Sequence, residues 1–399
     1  MEKTIDLKHG NFKAVIPQPE RFFMEHDFNV ETFEKTSRYS SPQWKAYKAS
    51  LLDEYTTTGF PAWRRSKLAR LELPPLEEEP QLEIEHAGAV SITKLEESSE
   101  ALELAKKTEF EGSDKKFVLQ SVVFNSSGIF AVSEGNDGFV AIKVGKKTQK
   151  SVLLHNVFLV RKGSRLKVVN LLESASYVSV LNRYIVEEGG ELSVLNIRMG
   201  NTFSFTNEIY RVASSAKVNS YSIDKPGDVH APFALSLLEG RGASTRFNNT
   251  FTASGSSIVD SMYVMRHRAA ETHGKIEGSG VLFDSARSVF RGNIEIAKGS
   301  INTETGESVN VVLLSPQARA DSIPALFVEE NEVTASHAAS VGALNEEGLY
   351  YLMTRGLDEN SAIRLVVRGI FEPTLQDIGS EFGSRWQEVA ESVLTGKSP

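Results

Sequence analysis

Eight histidines and no cysteine bound the chemistry open to this 399-residue chain. Without a thiol there is no disulfide framework, no thiolate metal site and no cysteine nucleophile. His337 sits between Thr334-Ala335-Ser336 and Ala338-Ala339-Ser340, small residues that leave an imidazole accessible. A neutral imidazole binds iron through one ring nitrogen while the other donates to a partner, although packing or capping is the plainer role for a lone histidine. His267 and His273 lie close together at a spacing without helical metal-site logic, but strands or successive coils can bring both to one face. Asp284, Glu295 and Glu304 are carboxylates of the kind an acidic cleft uses for acid/base work, yet nothing in their spacing demands it.

Absent motifs and bulk charge narrow the classes further. No Gly-x4-Gly-Lys-Ser/Thr occurs, and Gly396-Lys397-Ser398 lacks the upstream glycine, so the chain is not read as an ATPase by itself. Neither a strand-to-helix Gly-x-Gly-x-x-Gly nor a Gly-x-Ser-x-Gly nucleophile elbow is present. A net charge of -8 argues against a phosphate-driven nucleic-acid binder; the local group Arg64, Arg65, Lys67 and Arg70 reads as a solvated helix face. Met1 to His9 hold no signal-peptide core, and no apolar run approaches the roughly 20 residues of a membrane span. The expectation is a cytoplasmic protein without a membrane or nucleic-acid partner.

The elements that must position these residues change character along the chain. Ser41 to Tyr55 reads as an amphipathic helix, with Ser41 as cap, Pro42 in the first turn and Trp44, Tyr47, Leu51, Leu52 and Tyr55 at helical spacing. A second short helix is expected over Trp63 to Leu71. After a linker at Pro74-Pro75 and Glu77-Glu78-Glu79-Pro80, another follows over Glu96 to Lys107, with Leu102 and Ala105 inward. From about Phe117 come short strand-like runs, among them Val118 to Phe124, Phe139 to Val144, Val152 to Val160, Leu166 to Leu172, Tyr177 to Leu181 and Leu192 to Ile197. So many strands without intervening helices point to a sandwich, a barrel or a β-solenoid. Small-residue corners at Gly189-Gly190, Ser214-Ser215-Ala216, Gly242-Ala243, Ser285-Ala286 and Gln317-Ala318 favour the solenoid, although their spacing is irregular. After Pro324 the pattern reads as helical. Asn345 serves as a cap, Leu349, Leu352 and Met353 form one face, and Gly356 a stop. A second helix runs from Asp358 to Gly369 with Ala362, Leu365 and Val366 inward, and a third from Thr374 with Leu375, Ile378, Phe382, Trp386, Val389 and Val393.

One stretch also carries a resemblance. Ser336-His337, a small residue, Val341-Gly342, Leu344, an acidic pair, Leu349-Tyr350-Tyr351-Leu352 and Arg355-Gly356 follow in an order similar to the C-terminal signature of the SufB/SufD family of iron–sulfur cluster assembly scaffolds. Phe290-Arg291-Gly292-Asn293-Ile294 and Gly369-Ile370-Phe371 match its flanks; Phe124-Asn125-Ser126-Ser127-Gly128 and Trp63-Arg64-Arg65-Ser66 are weaker landmarks. The resemblance implies a mainly β fold: a right-handed parallel β-helix core flanked by N- and C-terminal helical regions. The expected division is residues 1–85 helical, 86–320 β-helix with a helix near 96–107, and 321–399 helical.

The same resemblance implies a non-enzymatic, SufD-like scaffold subunit that pairs with a SufB-type subunit and docks a SufC-type ABC ATPase through Tyr350, Tyr351 and Arg355. It places His337 near the interface between the two core subunits, as a metal ligand shared with the partner. The chain would hold no cofactor in isolation, with an iron–sulfur cluster at the subunit interface. Family members commonly carry cysteine where this chain has Ala335, and often glycine where it has Ala338. With no cysteine the chain cannot accept persulfide, which is why the SufD-type role suits it better than the SufB-type one. The alternatives are a homodimeric scaffold, a regulatory paralogue without a SufB partner, and a β-helix carbohydrate-active enzyme.

Overall fold

The computed structural model describes residues 3–5, 14–16, 22–25, 28–38, 40–59, 70–108, 111–112, 114–144, 148–173, 175–200, 202–344 and 346–395. Near the N-terminus β1 (Lys3–Ile5) pairs with β2 (Ala14–Ile16), and β3 (Phe22–Glu25) with β4 (Arg70–Leu73). Among the described residues four α-helices precede the long run of strands: α1 (Val30–Thr36), α2 (Pro42–Thr57), α3 (Ser99–Lys107) and α4 (Lys115–Val123). Ser41 caps α2 and Ser98 caps α3, each accepting from a backbone N–H three residues on. Leu102 and Ala105 are buried as expected. The helix expected over Trp63 to Leu71 lies almost wholly outside the described residues, as does Asn345; Arg70 and Leu71 belong to strand β4.

The core is a β-solenoid of about seven turns. Two strands enter first, β5 (Leu82–Ala87) and β6 (Val90–Lys94), followed by β7 (Ile129–Ser133), β8 (Gly138–Val144), β9 (Thr148–Val160) and β10 (Arg165–Glu173). Next come β11 (Ala175–Val186), β12 (Glu191–Met199), β13 (Phe203–Val212), β14 (Lys217–Lys225), β15 (Val229–Leu238) and β16 (Ser244–Ala253). The last coils are β17 (Ile258–His267), β18 (His273–Leu282), β19 (Arg287–Ile296), β20 (Thr303–Leu313), β21 (Arg319–Val328) and β22 (Val333–Ala343). From β7 onward odd strands build one parallel sheet and even strands the other; β6 and β5 close the first ends antiparallel.

Alternation along each strand decides which residues enter the shared core. In β20, Thr303, Thr305, Glu307, Val309 and Val311 are turned inward while Glu304, Ser308 and Asn310 face solvent. Strand β15 is buried at every position, because its outer face is covered as well. Helix α4 supplies that cover: Val118 and Val122 pack on Leu181, Ile209, Phe233, Leu235 and Val264 of the odd sheet. The segment Val118 to Phe124 is thus a helix rather than the expected strand. It is buried on all sides, so apolar periodicity vanishes, and Asp114 caps it by accepting from Lys116 N. Corners recur at Gly189, Ser215, Gly242, Glu271 and Asn302, all with positive φ, and each coil is longer than the last. That lengthening is why no fixed repeat shows in the sequence.

At the other side, α6 (Glu359–Phe382) and α7 (Ser384–Thr395) lie on the even sheet, while α5 (Glu346–Thr354) buries no residue. Val367, Phe371, Leu375, Ile378, Trp386 and Val393 meet Val169, Leu195, Ile197 and Ile223. Three readings of this region are corrected. Strands continue past Pro324 to Ala343, so the C-terminal helices begin at Glu346 rather than near residue 321. Pro324 is accommodated because β21 is an edge strand with a single neighbour. Helix α6 passes through Gly369 and Pro373 and ends at Gly383, whose φ of 92° gives the stop, since its buried stripe outweighs the roughly 1 kcal/mol cost of an internal glycine. Leu365 is exposed, and Val367 takes its place inside.

Polar groups share the interior with this apolar core. Stacked rings run from Phe158 to Tyr184 and Tyr210, with centroids 4.8 and 4.7 Å apart. Beside them Arg198 Nε donates to Asp224 Oδ1 at 2.7 Å, Arg198 Nη1 to Thr206 Oγ1 at 3.0 Å, and Asn249 Nδ2 to Asp224 Oδ2 at 2.6 Å. All four are buried. Burial alone would raise the Asp224 carboxyl, but the Arg198 guanidinium and the His230 ring together outweigh it and hold the group at about 2. Because this value lies below the unfolded carboxylate range, the pair's stabilisation is complete above about pH 4 and is lost as pH falls through about 2. Asp224→Ala, which strands a buried guanidinium, is expected to cost about 3–5 kcal/mol in urea unfolding at neutral pH. Repeating the unfolding at pH 2 should find that gap from the wild type narrowed.

Candidate functional site

His337 lies in the middle of β22, the last strand of the even sheet. Parallel pairing puts it directly above Glu307 of β20, with Thr305 under Ala335 and Val309 under Ala339. In-register stacking keeps partners on the same face, so residues 335, 337, 339 and 341 continue the inward columns of β20. Among the described residues no strand stacks on them in turn, and His337 is exposed.

Glu307, which the sequence reading did not single out, is the buried group beneath that mouth. Its side chain turns toward β19, where a β-carbon on Gly292 would lie 2.3 Å from the carboxyl carbon. Burial pushes the carboxyl up to about 7, and Oε1 has no hydrogen-bond partner. The alternation Thr303, Thr305, Glu307, Val309, Val311 was the signal that marks it as inward. A carboxyl and an imidazole on neighbouring rungs are a hard-to-borderline donor pair, suited to ferrous iron in part. Among the described residues no group of three or more His, Cys, Asp or Glu can hold a metal ion, so two donors from this chain leave most of a coordination sphere unfilled.

The mouth has a second property. Edge strands β21 and β22 each have one neighbour, and their backbone donors and acceptors on the free side form an open template for another chain. Phe327 is 59% exposed, and Leu326, Val328 and Val341 are exposed with it. Beyond the edge, α5 projects Tyr350 at 69% and Tyr351 at 56% exposure. Arg355 Nη2 donates to Tyr351 Oη at 2.9 Å and its guanidinium lies over that ring, which holds both side chains outward. Leu365 of α6 and Met353 extend the apolar surface.

The other sequence candidates do not converge. His267 is buried, whereas His273 stands on the outer face with Nδ1 3.6 Å from Glu304 Oε2. Asp284 sits in a corner and accepts from Gly255 N at 2.8 Å; Glu295 pairs with Arg266 at 2.8 Å on the odd sheet. The three carboxylates therefore occupy separate places and form no acid/base pair. Asn125, from the weaker landmark, donates to Glu96 Oε1 at 3.0 Å, where Lys48 Nζ also reaches at 2.9 Å; it ties α2 to the first coil. Trp63-Arg64-Arg65-Ser66 and Lys67 lie outside the described residues.

Comparison with known proteins agrees with this architecture. The profile described as SUF system FeS cluster assembly, SufBD core domain matches residues 143–370, from the second strand of the even sheet into α6. The chain is 39% identical to the iron–sulfur cluster assembly protein SufD of Bacillus subtilis over 115 residues, 29% of this chain and 26% of that protein. A SufBD family protein of Pyrococcus horikoshii is 37% identical over 116 residues, 29% of this chain and 26% of the relative. One from Mycobacterium tuberculosis is 27% identical over 198 residues, 47% of this chain and 50% of the relative. The matched segments thus span a quarter to a half of these relatives' lengths. No helix among the described residues is long and apolar enough to cross a membrane. With a family profile covering more than half its length, the chain belongs to the SufBD family of iron–sulfur cluster assembly proteins.

Proposed function

We propose that this chain is a SufD-like scaffold subunit, inactive as an enzyme by itself, that completes a cluster-building seam together with a SufB-type subunit. The observation that carries the reading is the open end of the solenoid. Two edge strands, each open on one side and flanked by exposed apolar side chains, stand beside His337 and Glu307. Pairing of these edges with those of a related solenoid satisfies the free backbone groups and buries Phe327 and Val341.

A sulfur argument selects the partner. An iron–sulfur cluster is the cargo of such a seam, and sulfide or thiolate must reach it; a second copy of a cysteine-free chain brings none. A SufB-type subunit supplies what a homodimer lacks. His337 then contributes one nitrogen to iron, or a proton and hydrogen bond, from this side. The exposed Tyr350, Tyr351 and Arg355 form the docking surface for a SufC-type ABC ATPase, with tyrosine and arginine the residue types that anchor interfaces. Because α5 buries no residue of its own, movement of a docked ATPase is transmitted through α6, which is packed on the even sheet. That path lets ATP-driven closure twist the paired solenoids and remodel the seam.

Two measurements test this. Coexpression with the SufB-type and SufC-type subunits is expected to give a ternary complex in which His337→Ala preserves assembly but sharply lowers cluster formation; unchanged cluster formation refutes the role of His337. Tyr350→Ala with Tyr351→Ala is expected to weaken ATPase binding about tenfold or more while edge pairing persists. A stable homodimer that ignores the SufB-type subunit in light scattering would instead establish the homodimeric scaffold.

A further inference from the structure

The loop Asn125-Ser126-Ser127-Gly128, to which the scaffold reading gives no task, forms one wall of a cleft of about 950 Å³. Other walls come from α1, from the linker at Glu78-Glu79-Pro80 and from Lys94 to Glu97. The cleft thus lies at the first end of the solenoid, away from the open edge of β21 and β22.

Backbone bonds hold the loop in place. Ser126 N donates to Leu153 O at 3.2 Å, Ser127 O accepts from His155 N at 3.2 Å, and Gly128 O accepts from Leu95 N at 3.0 Å. A β-carbon on Gly128 would lie 1.9 Å from His155 O, so only glycine lets the loop run this close to β9. With the main chain committed, two side chains are left over. Asn125 is 4% exposed, and its Nδ2 donates to Glu96 Oε1 at 3.0 Å, which fixes the orientation of the amide. Its Oδ1 is then an acceptor without a hydrogen-bond partner, and Ser126 Oγ has none either. Buried polar atoms are ordinarily met, so these two call for a donor from outside the chain.

The charges around them select that donor. Six carboxylates and three cationic side chains line the cleft. Four of the carboxylates are already paired: Glu31 with Lys35 at 3.1 Å, Glu34 with Lys45 at 2.6 Å, Glu96 with Lys48 at 2.9 Å and Glu97 with Lys94 at 3.8 Å. Glu78 and Glu79 are exposed and make no ion pair among the described residues, against one unpaired cation in the wall, Arg38. Water could meet Asn125 but would leave that negative charge uncompensated. A divalent metal ion needs converging ligands, and among the described residues no group of three or more His, Cys, Asp or Glu can hold one. Acceptors spread around a roomy cleft suit a flexible chain with several ammonium groups, each of which only donates. We propose that the cleft binds a linear aliphatic oligoamine, with one ammonium donating to Asn125 Oδ1 and Ser126 Oγ, another held by Glu78 and Glu79, and the methylenes against Pro80 and Leu95.

Calorimetric titration of the purified full chain with spermidine at low ionic strength tests this. The wild type is expected to take up a single equivalent, and butylamine, which has only one ammonium, to bind at least about tenfold more weakly. Glu78→Gln with Glu79→Gln, a change at exposed and unpaired residues that leaves the fold intact, is expected to weaken spermidine by at least about tenfold, as is Asn125→Ala. Glu329→Gln with Glu332→Gln, the same charge change at the last coils, leaves binding as it was. No uptake by the wild type, or equal affinity in the two double variants, overturns the site. Displacement of spermidine by stoichiometric Mg(II), or uptake of a trilysine peptide but not of spermidine, overturns the oligoamine assignment. No partner subunit takes part, so the result stands apart from the scaffold reading.

Discussion

Each coil of this protein is completed by the next one, and that dependence governs the rest of the structure. In a parallel in-register stack, a strand's backbone groups are satisfied by its neighbours above and below, and every side chain stands over its counterpart. Such a stack has no internal reason to stop. At the first end β5 and β6 pair antiparallel with the stack and terminate it in a polar, solvated edge. At the last end β21 and β22 leave a parallel edge with exposed apolar side chains beside it. His337 and Glu307 occupy that place as a consequence of register.

The same stacking explains why the interior tolerates charge. Arg198 and Asp224 come from successive even strands in register, and Thr206 reaches them from the facing sheet. An isolated buried charge would be untenable, but here several partners are delivered at fixed spacing by adjacent coils. Outside, each sheet is covered by its own helices, α4 on the odd and α6 with α7 on the even. Arg246 reinforces the latter by joining Glu277 of the sheet to Asp377 of α6 at 2.5 and 2.8 Å. Cover stops short of the final coil, and the surfaces left bare are the edge strands and α5.

How much of this was legible depended on whether a signal is local. Capped helices such as α2, and strands such as β9 and β10, carry their periodicity and punctuation within a few residues. Helix α4 was misread because a segment buried on all faces loses the alternation that separates helix from strand. Strands β21 and β22 were missed for other reasons: Pro324 in the middle of β21 looked like a breaker, and small residues dominate β22. His337 was visible from its small neighbours and from the family signature. Glu307 was legible too, yet attention went to Asp284, Glu295 and Glu304 as carboxylates without asking which face each occupies. The crowding of Met265, His267 and Thr305 against Gly274 could not be read, because it requires knowing which coil stacks on which.

The missing cysteines acquire a structural meaning from this arrangement. Where family members commonly place a thiolate two residues before the histidine, Ala335 continues the inward column over Thr305 and Gly274. A thiol there would stand at the mouth, directly above Thr305. Alanine keeps the column narrow and leaves His337 and Glu307 as the donors this edge offers. On the scaffold reading proposed above, that edge is one half of a seam whose sulfur arrives from the other side, because this chain has no thiol to bring it.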